Sequence, residues 1–242
     1  MEQAIVEIEH LNKSFGNNHV LKDINLKIEK GENLVVFGKS GSGKSVLIKC
    51  LVDLIKPDEG KVVLFGKTMS DLDDDELNAL RKKVGFLFQS AALYDSMTVR
   101  ENLEFQLRDL KTKSKEETEA LVLEVLKSVG LEDAIDKMPA ELSGGMRKRV
   151  GLARTLILKP ELILYDEPTT GLDPITSKEI SKLIIDVQSK YHAASIIITH
   201  DVECARITSN RMVIIKDGVC FAQGTFKELS ASTDEWVRSF FE

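Results

Sequence analysis

With 242 residues, 43% of them apolar and 30% charged, the chain has a globular composition and enough length to bury a sizeable core, as one large α/β domain or two small ones. Its formal net charge of −6 leaves no surplus of lysine and arginine for holding nucleic acid by bulk charge, and no nucleic-acid partner is expected. Cys50, Cys204 and Cys220 show neither C-x-x-C spacing nor clustered histidines, which sets aside a zinc site and a disulfide framework and favours a reducing compartment.

The first thirty residues carry Glu2, Glu7, Glu9 and His10 and no apolar signal core, and no later stretch reaches the roughly 18 apolar residues of a membrane span. A soluble chain is expected, linked to any membrane through a partner. Ile5–Glu9 and Leu21–Ile28 alternate as half-buried antiparallel strands do. After the turn at Lys30-Gly31-Glu32, the apolar run Leu34–Phe37 predicts a strand, a glycine-rich loop follows, and Val46–Leu51 predicts one apolar side of a helix. Lys56-Pro57-Asp58-Glu59-Gly60 is a turn signal leading to a strand at Lys61–Phe65. The acidic stretch of Asp71, Asp73, Asp74, Asp75 and Glu76 reads as a solvated helix start. Val84–Phe88 predicts a buried strand ending at Gln89. From Val99 to about Leu158 the pattern is helical, with a repeat at Leu121, Val122, Val125, Leu126 and Val129 and a solvated loop at Lys111–Lys115. Leu162–Tyr165 is apolar throughout, as a parallel strand covered on both faces should be. Ile180, Leu183, Ile184, Val187 and Tyr191 mark a further amphipathic helix, and strands follow at Ser195–Thr199 and Arg211–Lys216. The sum is one α/β domain with a mostly helical insertion in the middle.

The glycine-rich loop is Gly38-Lys39-Ser40-Gly41-Ser42-Gly43-Lys44-Ser45, a P-loop pattern in its required strand–loop–helix context. Its glycines let backbone N–H groups turn around a phosphate, and the new helix adds unpaired donors and its dipole. Lys44 is suited to reach the β- and γ-phosphates and Ser45 to supply an oxygen to Mg²⁺. The pattern alone leaves GTPases, kinases, helicases and transport ATPases open. Asp166 ends an apolar strand and suits the metal side of the same site, and Glu167 beside it could polarise an attacking water. Gln89 and His200, each at a strand end, are candidates for contacts with metal, water or γ-phosphate, although each alone is weak evidence. Leu142-Ser143-Gly144-Gly145-Met146 opens a second helix and makes a second anion-binding N-terminus. One P-loop with two phosphate-facing elements is explained if the two serve different nucleotides in a head-to-tail dimer. Arg147, Lys148, Arg149 and Arg154 then read as a solvated cationic helix face.

In order and spacing these motifs resemble the ATP-binding-cassette (ABC) ATPases over essentially the whole chain. Gly38–Ser45 is similar to the Walker A motif, Gln89 to the Q-loop, Leu142–Met146 to the signature, Leu162–Glu167 to the Walker B strand with its catalytic glutamate, Leu172-Asp173 to the D-loop and His200 to the switch histidine. Phe15 matches the aromatic that stacks on adenine; it replaces the commoner tyrosine and keeps the stacking face. Met146 stands where glutamine is common. The resemblance implies an α/β P-loop cassette with a mixed β core, an antiparallel β subdomain and a helical subdomain. It places the core and the β subdomain at about 1–89 and 160–242 and the helical subdomain at about 90–159. It implies ATP and Mg²⁺ as cofactors, with metal contacts from Ser45, Gln89 and Asp166 and catalytic roles for Glu167, His200 and Gln89. Nucleotide contacts are implied for Phe15, the P-loop residues, Ser143, Gly144, Gly145 and Asp173.

Phe88–Val99, Ser143–Val150, Tyr165–Thr176 and Trp236–Phe241 further resemble the ATPases of Mla-type phospholipid transporters. That branch implies a homodimer on the inner face of the cell membrane, bound to a permease and an MCE-domain lipid-binding protein. Leu93, Tyr94 and Met97 suit a coupling helix of the permease, and Trp236, Val237, Phe240 and Phe241 fit one helical face that packs on its own domain. The rival readings are an importer ATPase for amino acids or other polar solutes and a soluble, non-transport ABC protein. A GTPase is disfavoured because Asn12-Lys13 precedes the P-loop and lacks the aspartate that guanine recognition uses.

Overall fold

Alternation at the N-terminus becomes a long antiparallel pair, β1 (Ala4–Phe15) and β2 (Asn18–Glu29), joined by a tight loop in which Gly16 takes a φ of 58°. The computed structural model describes residues 4–108 and 114–242. β3 (Asn33–Phe37) runs into the glycine loop and α1 (Lys44–Leu51) leaves it, burying Leu47, Ile48, Cys50 and Leu51. β4 (Glu59–Leu64) and the two-residue β5 (Lys67–Thr68) complete a sheet of order β2-β1-β4-β5, antiparallel throughout. The acidic stretch does start a helix, α2 (Asp74–Arg81): Asp73 caps it by accepting from the Glu76 N–H at 2.8 Å.

β6 (Val84–Leu87) differs from expectation. It stops two residues before Gln89 and lies at an edge of its sheet, so Val84 and Phe86 are only half-buried. The helical stretch contains α3 (Val99–Glu104) and α4 (Lys115–Val129), both opened by reciprocal capping boxes, Thr98 with Glu101 and Ser114 with Glu117. Of the loop expected at Lys111–Lys115, residues 111–113 lie outside the described residues, Ser114 is the cap and Lys115 is already helical. α5 (Gly144–Leu156) is capped by Ser143. β7 (Leu162–Asp166), α6 (Pro174–Tyr191), β8 (Ala194–Thr199), α7 (Val202–Thr208), β9 (Arg211–Lys216), β10 (Val219–Gly224), α8 (Phe226–Ser230) and α9 (Glu235–Arg238) finish the chain.

The second sheet has six strands in the order β10-β9-β3-β8-β7-β6, parallel except for β10. Its central strands are buried on both faces, which explains their unbroken apolar runs. Val35, Phe37, Ile163, Tyr165 and Ile197 face the helices from α3 to α7. Leu34, Val36, Leu162, Leu164, Ile196 and Ile198 face α1 and the antiparallel sheet. The C-terminal aromatics pack on their own domain, although α9 is only four residues long and Phe240 and Phe241 follow it in a turn. The Phe240 ring meets Phe37 edge-on at 5.3 Å, and Trp236 meets Phe240 at 4.8 Å.

Candidate functional site

In register, Phe37 pairs with Thr199, Asp166 with Ile198 and Leu87 with Tyr165, so β3, β6, β7 and β8 all end at one edge of the sheet. The carboxyl edge of a parallel sheet is where such folds bind ligands. A cleft of about 400 Å³ opens there. Phe15, Ser40, Gly41, Gly43, Lys44, Ser45, Gln89, Glu167 and His200 line it, having been selected from positions spread over most of the chain.

The loop's geometry requires its glycines. Gly43 has a φ of 98°, and a Cβ there would lie 2.8 Å from the Val20 carbonyl oxygen; a Cβ on Gly38 would lie 2.6 Å from that of Ile215. Lys44 is buried, and its Nζ donates to the carbonyl oxygens of Gly38 at 2.8 Å and Lys39 at 3.0 Å. Burial pushes its pKa down, while the charges of Glu167 and Asp166 oppose the shift. Ser42 Oγ is buried inside the loop with no partner among the described residues. Ser45 Oγ donates to Asp166 Oδ1 at 2.9 Å, which sets Asp166 just behind the cleft. These oxygens, with the Gln89 amide that lines the cleft, make a hard donor set of the kind Mg²⁺ accepts with retained water.

Glu167 sits one residue beyond β7 with a φ of 51°, a left-handed conformation uncommon outside glycine. Its N–H donates to Ile198 O at 2.9 Å. The carboxylate is held from three sides: Oε1 lies 3.9 Å from Lys44 Nζ, while Oε2 accepts from Thr170 Oγ1 at 3.0 Å and lies 2.8 Å from His200 Nδ1. Thr169 Oγ1 donates to Asp201 Oδ2 at 2.9 Å, tying the loop after β7 to the residue beside His200. Thr170 and Thr169 were not singled out by the sequence; their position three and two residues after Glu167 is the one signal that could have flagged them.

Ser143, Gly144, Gly145 and Asp173 are not in this cleft. They cluster with one another instead. A Cβ on Gly145 would lie 2.5 Å from Thr176 Cγ2 and one on Gly144 3.3 Å from Leu172 Cδ2. Asp173 caps α6, accepting from the N–H groups of Ile175 and Thr176 at 3.0 Å and from Thr176 Oγ1 at 2.6 Å. The Thr176 hydrogen bonds hold its carboxyl below the usual carboxylate range. The site residues therefore form two sets on one protomer.

The solvated cationic face holds only in part: Arg147 is exposed, Arg149 and Arg154 are half-buried, and Lys148 is not on a solvated face at all. Lys148 is buried, and its Nζ donates to the carbonyl oxygens of Gln89 and Glu167. Arg147 donates to Leu142 O at 2.7 Å, Arg149 to Val129 O and to Glu179, and Arg154 to Ala92 O. These cations fasten loops to α5, a use that charge count alone does not reveal. Beside them runs a groove of about 930 Å³ whose lining includes Phe86, Phe88, Gln106, Arg154 and Leu158. Tyr94 is exposed near it, its ring 4.7 Å from that of Phe105 and 5.8 Å from the Arg154 guanidinium.

A family profile described as ABC transporter matches residues 21–170. The intermembrane phospholipid transport system ATP-binding protein MlaF of Haemophilus influenzae is 35% identical over 100% of this chain and 92% of its own length. The L-cystine import ATP-binding protein TcyN of Bacillus subtilis is 37% identical over 95% of this chain and 89% of its own. Among solved structures, the dimeric post-hydrolysis state of the ATP-binding cassette MJ0796 bound to ADP and Pi superposes with a TM-score of 0.83 at 35% identity, covering 92% of this chain and 99% of that one.

Proposed function

Because the chain belongs to the ABC transporter family, we propose that it is the ATP-hydrolysing subunit of a transporter that moves phospholipid between membranes, working with an integral-membrane permease and an MCE-domain lipid-binding protein. It has the ABC cassette fold, and ABC transporter ATPases hydrolyse ATP. The observation that carries the catalytic reading is the Glu167 carboxylate, held in a strained backbone between Lys44, Thr170 and His200 at the mouth of the P-loop.

In this reading the P-loop N–H groups, Ser42 and Lys44 take the β- and γ-phosphates, and Phe15 stacks on adenine. Ser45, Gln89 and Asp166 would hold Mg²⁺, which when bound neutralises phosphate charge. Glu167 orients the attacking water, and His200 supports the charge that develops on the γ-phosphate. Ser143, Gly144 and Gly145 reach no phosphate in their own protomer, so they and Asp173 act on a second copy's nucleotide in a head-to-tail homodimer. The similarity to a dimeric cassette supports that arrangement. Residues of about 1–89 and 160–242 form the core with its antiparallel subdomain, and about 90–159 a helical subdomain, within one ATPase domain. The groove beside Tyr94 receives the permease.

No helix among the described residues is long and apolar enough to cross a membrane. We place the chain on the cytoplasmic face of the cell membrane, held by its permease. Similarity to a cystine importer keeps a second reading, the same ATPase driving polar-solute import. For the catalytic assignment the test is Glu167→Gln: it should bind ATP and remain dimeric while hydrolysing at least about a hundredfold more slowly. Turnover at the wild-type rate would refute the role of Glu167.

A further inference from the structure

We infer that Lys148 is a positioning residue for hydrolysis, coupling the helix that opens at Ser143 to the backbones of both Gln89 and Glu167; the inference rests on the roles given to those two residues above. Lys148 is 6% exposed. Its Nζ donates to Gln89 O at 2.5 Å and to Glu167 O at 3.1 Å. Neither residue lies in a strand, so neither carbonyl belongs to a sheet ladder. A buried ammonium is costly unless hydrogen-bonded, and this one finds two acceptors on the two residues whose side chains reach the reacting phosphate.

The rest of the same helix face shapes the same loop. One turn on from Lys148, a Cβ on Gly151 would lie 2.9 Å from Ala91 Cβ, so glycine lets that loop approach closely. One turn further, the Arg154 guanidinium donates to Ala92 O. Between these contacts Ala91 and Ala92 hold φ values of 62° and 47°, two consecutive left-handed residues that the chain would not adopt unaided. Positions 148, 151 and 154 thus form a backing plate for Gln89–Ala92.

Helix α5 begins at the signature residues, which face a second copy's nucleotide in the proposed dimer. Any displacement of that helix as the dimer closes is therefore transmitted through one ammonium to both the Gln89 and the Glu167 backbones of its own site. Lys148 makes one site's geometry depend on engagement at the other.

The test compares wild type, K148M, K148R and E167Q in the complex recovered with the tagged full-length chain, measuring kcat, ATP affinity and thermal stability. K148M should lower kcat by about tenfold to a hundredfold, the scale of a small misplacement of catalytic groups. Its ATP affinity should stay within about twofold of wild type, which separates positioning from uniform binding. K148R, which keeps a cation and its donors, should recover most of the rate. If K148M does not fold, K148Q, which keeps one amide donor, takes its place in the same comparison. Lowered stability with an unchanged kcat per folded molecule would overturn the inference and leave Lys148 a structural strut. Loss of ATP binding at unchanged kcat would overturn it as well. E167Q separates the two levels: a normal rate in E167Q refutes the site reading itself, whereas a slow E167Q beside a normal K148M refutes the coupling alone.

Discussion

Phe15 shows how a half-exposed residue can be positioned by its neighbours. It is 50% exposed, yet the strand beneath it is tethered to Asp58, whose carboxylate accepts from Lys13 Nζ and from the Ser14 N–H, each at 2.6 Å. The Lys13 hydrogen bond first, and then that of Ser14, hold the Asp58 carboxyl below its ordinary range. A carboxylate with a depressed pKa stays ionised above that value and gives up its ion pair on the acid side only as pH falls through it, so this tether is intact across the neutral range. Phe15→Ala, measured by nucleotide titration in the Glu167→Gln background, should weaken ATP binding about tenfold, the scale of one base-stacking contact, while Phe15→Tyr stays near wild type. Equal affinity in all three would remove adenine stacking from the account. Residue types with specific chemistry, such as Lys44 at the start of α1 and Asp166, Glu167 and His200 at strand ends, were legible in the sequence as candidates because phosphate chemistry favours them in those places. Lys148 and Thr170 were not, since their roles depend on backbone and carboxylate atoms that only the fold brings within reach.

Among the elements, legibility followed length and burial. The central strands β3, β7 and β8, covered on both faces, and the 18-residue α6 carry patterns that leave little choice. The seven-residue α7 and the five-residue α8 complete at most two turns, too few to show a period, and β10 alternates weakly at a sheet edge. The loop between β6 and α3 reads as a partner surface in the sequence, but how it is held is visible only in the fold. Asn102, fully buried, donates to the carbonyls of Tyr94, Met97 and Thr98 and accepts from the Tyr94 N–H, so one side chain fixes the lip of the groove. Tyr94 itself points into solvent beside Arg154 and Phe105, and an aspartate there would place a charge where an apolar partner surface is expected. Tyr94→Asp should abolish lipid transport in reconstituted vesicles with nucleotide binding intact. Loss of nucleotide binding in that variant would instead make Tyr94 part of the ATP site.

At the scale of the whole molecule, the proposed nucleotide contacts fall on two surfaces, one at the P-loop cleft and one where Ser143, Gly145 and Asp173 gather beside the start of α6. In the proposed homodimer a second copy would join the two surfaces, and closure on ATP with release after hydrolysis is what a permease could convert into movement. The most direct measurement is recovery of tagged Glu167→Gln from native membranes in mild detergent with ATP, followed by mass spectrometry of the proteins and lipids that accompany it. Two copies of this chain should be recovered with a permease, an MCE-domain protein and bound phospholipid. Recovery of a polar-solute permease without these would contradict the lipid cargo, and recovery of ribosomal or DNA-associated proteins alone would contradict transport altogether.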